Sequence, residues 1–324
     1  MCTAVTYKTA NHYFGRNLDL EYTLGETVTV TPRNYVFRFR KKGELKRHYA
    51  MIGMAYISDG YPLYYDATNE KGLSVAGLNF PGNAVYKPYM EDKDNIAPFE
   101  LIPWILGQCA SVSEAQKLLG RINLWNENFS DKLPASPLHW IISDKERSIT
   151  LEAVQDSVKI YDNPLGVLTN NPTFDFHMFN LNNYMHLTRG KPENTFFEQI
   201  ELKPYSRGMG GLGLPGDASS MSRFVKATFV KLNSVSGDSE TESVSQFFHI
   251  LKSVEMQRGC VDVDKGIFEI TVYSSCCNTD YGIYYYTTYD NSQLCAVDMY
   301  REELDGNELI SYPLNKEPFI VFQN

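Results

Sequence analysis

The second residue of the chain is a cysteine, and its position matters more than its type. Initiator methionine is commonly removed when residue 2 is small, and removal of Met1 would leave Cys2 with both a thiol and a free α-amine. Their ordinary pKa values are about 8.5 and about 7.7–8.0, so the amine can serve as base for its own thiol. One residue then supplies nucleophile and general base for acyl transfer. A run Gly15-Arg16-Asn17-Leu18-Asp19 follows closely. If residues 2–8 and 12–16 are antiparallel neighbours joined by a short turn, Arg16 and Asp19 return to the vicinity of Cys2. An aspartate there holds the amine, and an arginine raises the thiolate fraction.

The elements that must position these residues are strand-rich at both ends of the chain. Short runs of Thr, Val, Tyr and Phe predict strands over 3–8, 12–16, 27–31, 35–40, 51–57, 63–67 and 73–79. The middle changes period, with a buried apolar helix over 98–109 and a capping-box start at Ser111-Val112-Ser113-Glu114. Strands return over 138–143, 148–154, 158–161 and 166–169. Helical spacing follows over 220–233 and 242–256, and four more strands are expected over 268–274, 282–286, 294–298 and 319–323. Without βα alternation, this order predicts antiparallel sheets covered by helices. No linker or internal repeat divides the chain, so one domain over 1–324 is expected.

Composition narrows the function. With 30 Lys and Arg against 39 Asp and Glu, the net charge is −9, which argues against a nucleic-acid binder or a protein held to membranes by basic charge. No window approaches 18 apolar residues and no secretion signal is visible, so a cytoplasmic protein is expected. The six cysteines have no framework spacing and read as reduced thiols. The six histidines form no metal-spaced pair, and His139, beside Trp140 in an apolar strand, reads as a hydrogen-bonded core residue. Gly208-Met209-Gly210-Gly211-Leu212-Gly213 fits the dinucleotide fingerprint by letter, but Leu214-Pro215-Gly216 breaks the helix that a pyrophosphate site requires, so it reads as a loop.

Met1-Cys2-Thr3-Ala4, Phe14 through Asp19, Ala76-Gly77-Leu78-Asn79-Phe80, Leu168-Thr169-Asn170-Asn171-Pro172 and Leu214-Pro215-Gly216-Asp217 through Ser222-Arg223-Phe224 occur in order along nearly the whole chain. In this it resembles the choloylglycine hydrolase family, and within it the bile salt hydrolase branch. The resemblance implies an N-terminal-nucleophile hydrolase fold, α+β, with a four-layer αββα sandwich of two antiparallel sheets between helical layers. It implies hydrolysis of the amide joining a bile acid to glycine or taurine, with no cofactor and no metal. Cys2 is then the nucleophile and Asp19 orients its amine; Arg16 and Arg223 lie beside the thiol, and Asn79 and Asn171 stabilise the oxyanion. A homotetramer is implied by the segment Asn182–Glu201, which resembles the family's assembly loop.

The penicillin V acylase branch is the alternative within the family; it typically carries tyrosine where this chain has Asn79. A sterol-binding protein without turnover is the alternative of another class, and the set of Cys2 with its polar neighbours argues against it. For a sterol body the expected apolar wall is Leu18, Leu20, Tyr22, Leu24, Tyr65, Phe129, Leu133 and Leu138, taken as a group.

Overall fold

The computed structural model describes residues 1–324. Cys2–Lys8 and His12–Leu20 form a tight hairpin, and this pair is extended on one side by Val167–Leu168 and on the other by Ile270–Asn278, Ile283–Thr288 and Cys295–Asp298, all antiparallel. A second, eight-stranded antiparallel sheet runs in the order Val158–Asp162, Ser148–Ala153, Leu138–Ser143, Ser74–Asn79, Tyr61–Asn69, Met51–Ser58, Thr27–Thr31 and Ile310–Pro313.

Strand periodicity explains how the sheets stack. Ile52, Met54, Ala76, Leu78 and Ile141 of the eight-stranded sheet belong to the core shared with the other sheet. Met51, Ala55, Val75, Trp140 and Ile142, from the same strands, belong to a separate core with helices Leu101–Gln108 and Val112–Leu119. Alternate side chains point to opposite faces, so each central strand is apolar on both and must be covered twice. Helices Ser220–Asn233 and Glu240–Lys252 cover the outer face of the six-stranded sheet with Phe224, Ala227, Val244, Phe247 and Leu251. The result is the four-layer αββα sandwich.

Element by element, the strands over 27–31 and 138–143 and the helix over 220–233 have the expected ends. The expected helix over 98–109 is a single 3₁₀ turn followed by Leu101–Gln108. The helix expected over 242–256 runs instead over Glu240–Lys252, with Ser239 and Glu242 as its capping box. One expectation fails outright, and one element was not foreseen. Residues 319–323 form no strand and are exposed. The helix Phe174–Asn180 was not expected: Phe174 and His177 are buried and Met178 and Leu181 pack against the core, but this inward stripe covers only two turns and is masked in the sequence by the exposed Phe176 and Phe179. The glycine-rich stretch 208–213 is a loop with one 3₁₀ turn over Met209–Gly211.

Gly15 shows how closely the strands bearing the candidate site are packed. A Cβ at this position would lie 1.9 Å from the Ser275 carbonyl oxygen of the neighbouring strand. Backbone cannot yield as a flexible side chain does, so Gly15→Ala should cost about 2 kcal/mol or more of stability. A lowered urea midpoint at unchanged slope checks this.

Candidate active site

The hairpin register sets the geometry. Cys2 pairs with Leu18 and Ala4 with Arg16, so Cys2, Leu18 and Arg16 share the face turned toward the second sheet. Asn17 and Asp19, in the alternate positions, face the helical layer, where Asn17 donates to the Leu251 carbonyl at 3.0 Å. Beside Asp19 the next strand carries a bulge: Thr271 pairs with Asp19 and Tyr273 with Leu18, leaving Val272 over. Such bulges re-aim side chains locally.

Arg16 is fully buried. Its Nη1 donates to the carbonyl oxygens of Tyr65 and Gly77, its Nε to that of Asn17, and its Nη2 has no partner. Asp66 lies in the same inter-sheet layer and accepts from the hydroxyls of Tyr273 at 2.6 Å and Tyr284 at 2.7 Å. Burial pushes the Asp66 carboxyl above the ordinary aspartate range, and the Arg16 charge and these hydroxyls oppose that shift.

Arg223, in the first turn of the helix Ser220–Asn233, reaches the other side of Cys2. Its Nη1 donates to the Cys2 carbonyl oxygen and to Thr3 Oγ1, both at 2.6 Å, and its Nη2 to Asn170 Oδ1 at 2.7 Å. Asn170 Oδ1 also accepts the Cys2 backbone N–H at 2.8 Å, while Asn170 Nδ2 donates to the Asn79 carbonyl oxygen at 2.7 Å. Asp19 is buried, accepts from Thr271 Oγ1 at 2.6 Å, and keeps Oδ2 unpartnered 4.0 Å from Arg223 Nη1. Burial raises its carboxyl pKa and the Arg223 charge lowers it. Met1 precedes Cys2 here, its amine meeting the Glu269 carboxylate and donating to the Asp19 carbonyl oxygen at 2.7 Å.

Cys2, Arg16 and Asn79 line one cavity of about 390 Å³. All eight expected wall residues line it too: Leu18, Leu20, Tyr22, Leu24, Tyr65, Phe129, Leu133 and Leu138. Sixteen of its twenty-four lining residues are hydrophobic, and Arg16 and Lys132 are the only charged ones. Asp19 and Arg223 touch the Cys2 neighbourhood from behind and do not line the cavity.

Of the two adjacent asparagines, the expected Asn171 donates from Nδ2 to the Pro81 carbonyl oxygen at 2.6 Å, whereas Asn170 accepts the Cys2 backbone N–H, and neither lines the cavity. Adjacent side chains leave the backbone in different directions, so two consecutive asparagines in one motif cannot be ranked without the fold. Sequence reasoning also missed Ser220, whose Oγ accepts the Asn170 N–H at 2.8 Å, and the acceptor Glu269. Neither lies in a pattern that marks chemistry. No three His, Cys, Asp or Glu side chains converge to hold a metal ion.

This architecture, with a cysteine at the head of a central strand, is that of the N-terminal-nucleophile hydrolases. The model of the family described as linear amide C–N hydrolases, choloylglycine hydrolase family, matches residues 2–312, and the chain belongs to that family. It is 60% identical over 98% of each chain to the "Bile salt hydrolase/transferase" of Lactiplantibacillus plantarum. The structure of the C2A conjugated bile acid hydrolase from Clostridium perfringens superposes with a TM-score of 0.92 at 38% identity, covering all of both chains. A penicillin V acylase structure from Agrobacterium tumefaciens shares the fold, at TM-score 0.73 and 20% identity over 96% of this chain and 90% of that one.

Behind Asn170, His177 is buried and its ring is stacked on Phe224. Burial pushes its pKa down to about 4 from the ordinary value near 6.5. In the unfolded chain the imidazole takes up a proton as pH falls through about 6.5, and the folded state resists this until about 4. The unfolded state therefore binds more protons in that window, and stability drops as pH falls across it. Urea midpoints should decline between pH 7 and pH 5, and His177→Gln should reduce the decline.

Proposed function

We propose that this chain hydrolyses the amide of glycine- and taurine-conjugated bile salts, with Cys2 as nucleophile once Met1 is removed. The observation that carries the reading is the Cys2 position at the floor of an apolar cavity whose lining holds two cationic groups and no acid. An amphipathic anion with a rigid apolar body fits such a wall, and the names of the relatives agree with it.

The chemistry follows from the neighbours. The freed α-amine takes the thiol proton, and the unpartnered Asp19 Oδ2 is the acceptor available to hold the resulting ammonium. The thiolate adds to the amide carbonyl carbon, and the charge passes to oxygen. Asn79 and Asn170, as neutral donors, stabilise that oxyanion without forming a salt bridge to the sulfur, and losing one such donor typically costs about 10²–10³ in rate. Asn170 takes the role that motif reading gave to Asn171. Arg16 sets the potential at the thiol from the cavity side, and Arg223 does so from the helix side.

Collapse of the tetrahedral species breaks the C–N bond; the ammonium protonates the leaving glycine or taurine and a thioester remains. The amine then deprotonates water, which attacks the thioester and releases the bile acid and the thiol. An amino-acid amine in place of water would give acyl transfer from the same thioester.

The same reading takes residues 1–324 as one domain, with no cofactor, no nucleic-acid partner and no membrane insertion; no helix is long and apolar enough to cross a membrane. Six free cysteines support a cytoplasmic location. The exposed Phe176, Phe179, Met185 and Phe196 around the segment Asn182–Glu201 support association between copies, and the homotetramer itself rests on that segment's resemblance to the family's assembly loop.

Purified protein with a sequenced N-terminus should release glycine from glycocholate and taurine from taurocholate. Cys2→Ala, or a form that keeps Met1, should release neither. Retained hydrolysis by Cys2→Ala would overturn the reading, and faster release of phenoxyacetate from penicillin V than of glycine would assign the acylase activity instead. Because recognition rests on apolar burial and local cations, KM should change less than about threefold between 0.05 and 0.5 M salt. Initial rates at the two ionic strengths check this.

A further inference from the structure

Two buried histidines grip consecutive carbonyl groups of the segment that carries Asn170. His139 Nε2 lies 2.9 Å from the Thr169 carbonyl oxygen, and His177 Nε2 lies 2.9 Å from that of Asn170. A carbonyl oxygen only accepts, so both Nε2 atoms carry the proton. Neither ring is exposed at all, and each is held by stacking, His139 on Phe80 at 4.1 Å and His177 on Phe224 at 4.6 Å.

One buried carboxylate organises both. Glu152 Oε1 faces His139 Nδ1 at 3.1 Å and accepts the backbone N–H of Phe174 at 3.0 Å, at the start of the helix that presents His177. The two rings thus reach the segment from different layers, one from the strand Leu138–Ser143 and one from the helix Phe174–Asn180. The tertiary cost is visible: Glu152 Oε2 and His177 Nδ1 are buried without partners. Groups left in that condition for packing alone are rare.

We propose that His139 and His177 are positioning residues, which fix the backbone of Thr169 and Asn170 so that the Asn170 amide stays between Cys2, Arg223 and Asn79. The inference rests on the reading of Cys2 as nucleophile. Asn170 contacts the Cys2 nitrogen through Oδ1 and the Asn79 backbone through Nδ2, so a shift of its Cα displaces the base and the oxyanion donor together. Misplacement of about 1 Å at a reacting group costs on the order of 10²-fold in rate. The cavity wall is untouched, since neither histidine lines it.

The variants are His177→Phe, which keeps a stacking ring and loses the N–H, and His177→Gln, which keeps an N–H donor. In the Met1-free enzyme, His177→Phe should lower kcat for glycocholate about tenfold or more with KM within about twofold. It should also slow alkylation of Cys2 by iodoacetamide, while His177→Gln stays within about threefold of wild type on both readouts. The alkylation arm does not depend on the substrate: if the wild type releases no glycine yet His177→Phe slows alkylation, the bile salt reading fails and the clamp stands. Folded His177→Phe with unchanged kcat and alkylation overturns the proposal, as does His177→Gln losing as much as His177→Phe. Should His177→Phe be insoluble, His139→Gln compared with His139→Phe applies the same criteria at the Thr169 carbonyl.

Discussion

Arg223 is a guanidinium almost without exposure, and removing such a charge from water costs several kcal/mol unless its donors are matched. Its donors meet the Cys2 carbonyl oxygen, Thr3 Oγ1, Asn170 Oδ1 and the Ala218 carbonyl oxygen. These acceptors come from three stretches distant in sequence: the first strand, the segment after Val167–Leu168, and the turn before the helix bearing Arg223. Each must arrive in place for the charge to be buried, so the same requirement that stabilises the fold also aligns the thiol-bearing residue with Asn170. Burial pushes the Arg223 pKa down while Asp19 and Cys2 oppose it, which is the electrostatic form of the same constraint.

The second organising feature is the separation of polar and apolar surfaces across one hairpin. Alternation sends Leu18 and Arg16 to the cavity and Asn17 and Asp19 to the helices. The acid that would hold the amine is thereby kept out of the apolar cavity, and the charge at the cavity floor is cationic. An acidic chain of net charge −9 can in this way present a local environment suited to an anion. Adjacent tyrosines of one strand serve the interior on opposite faces: Tyr284 donates to Asp66 between the sheets, and Tyr285 donates to Glu240 at 2.9 Å on the helical side.

Much of the site could be read in one dimension because its first half is local. Cys2, Arg16 and Asp19 belong to one hairpin, where a short turn and a period of two dictate who stands near whom. The apolar wall was legible as a group for a related reason: Leu18 and Leu20 follow the same alternation, and Phe129, Leu133 and Leu138 precede or open a strand that pairs with Ser74–Asn79. The failures are equally specific. The run over 319–323 has strand composition but joins no sheet and is exposed, because composition carries no information about whether a run reaches a partner strand.

The sequence by itself determined the chemical type of the site: a cysteine at position 2, the basic and acidic partners one hairpin turn away, and the motif order of an amide-hydrolysing family. Only the tertiary structure placed Asn170 and not Asn171 against Cys2, brought Arg223 across more than two hundred residues to Cys2, and set His139 and His177 behind the segment that carries Asn170. The reason is that local periodicity specifies the direction of a side chain relative to its own strand, whereas the partner of a buried hydrogen-bonding group is chosen by packing between layers.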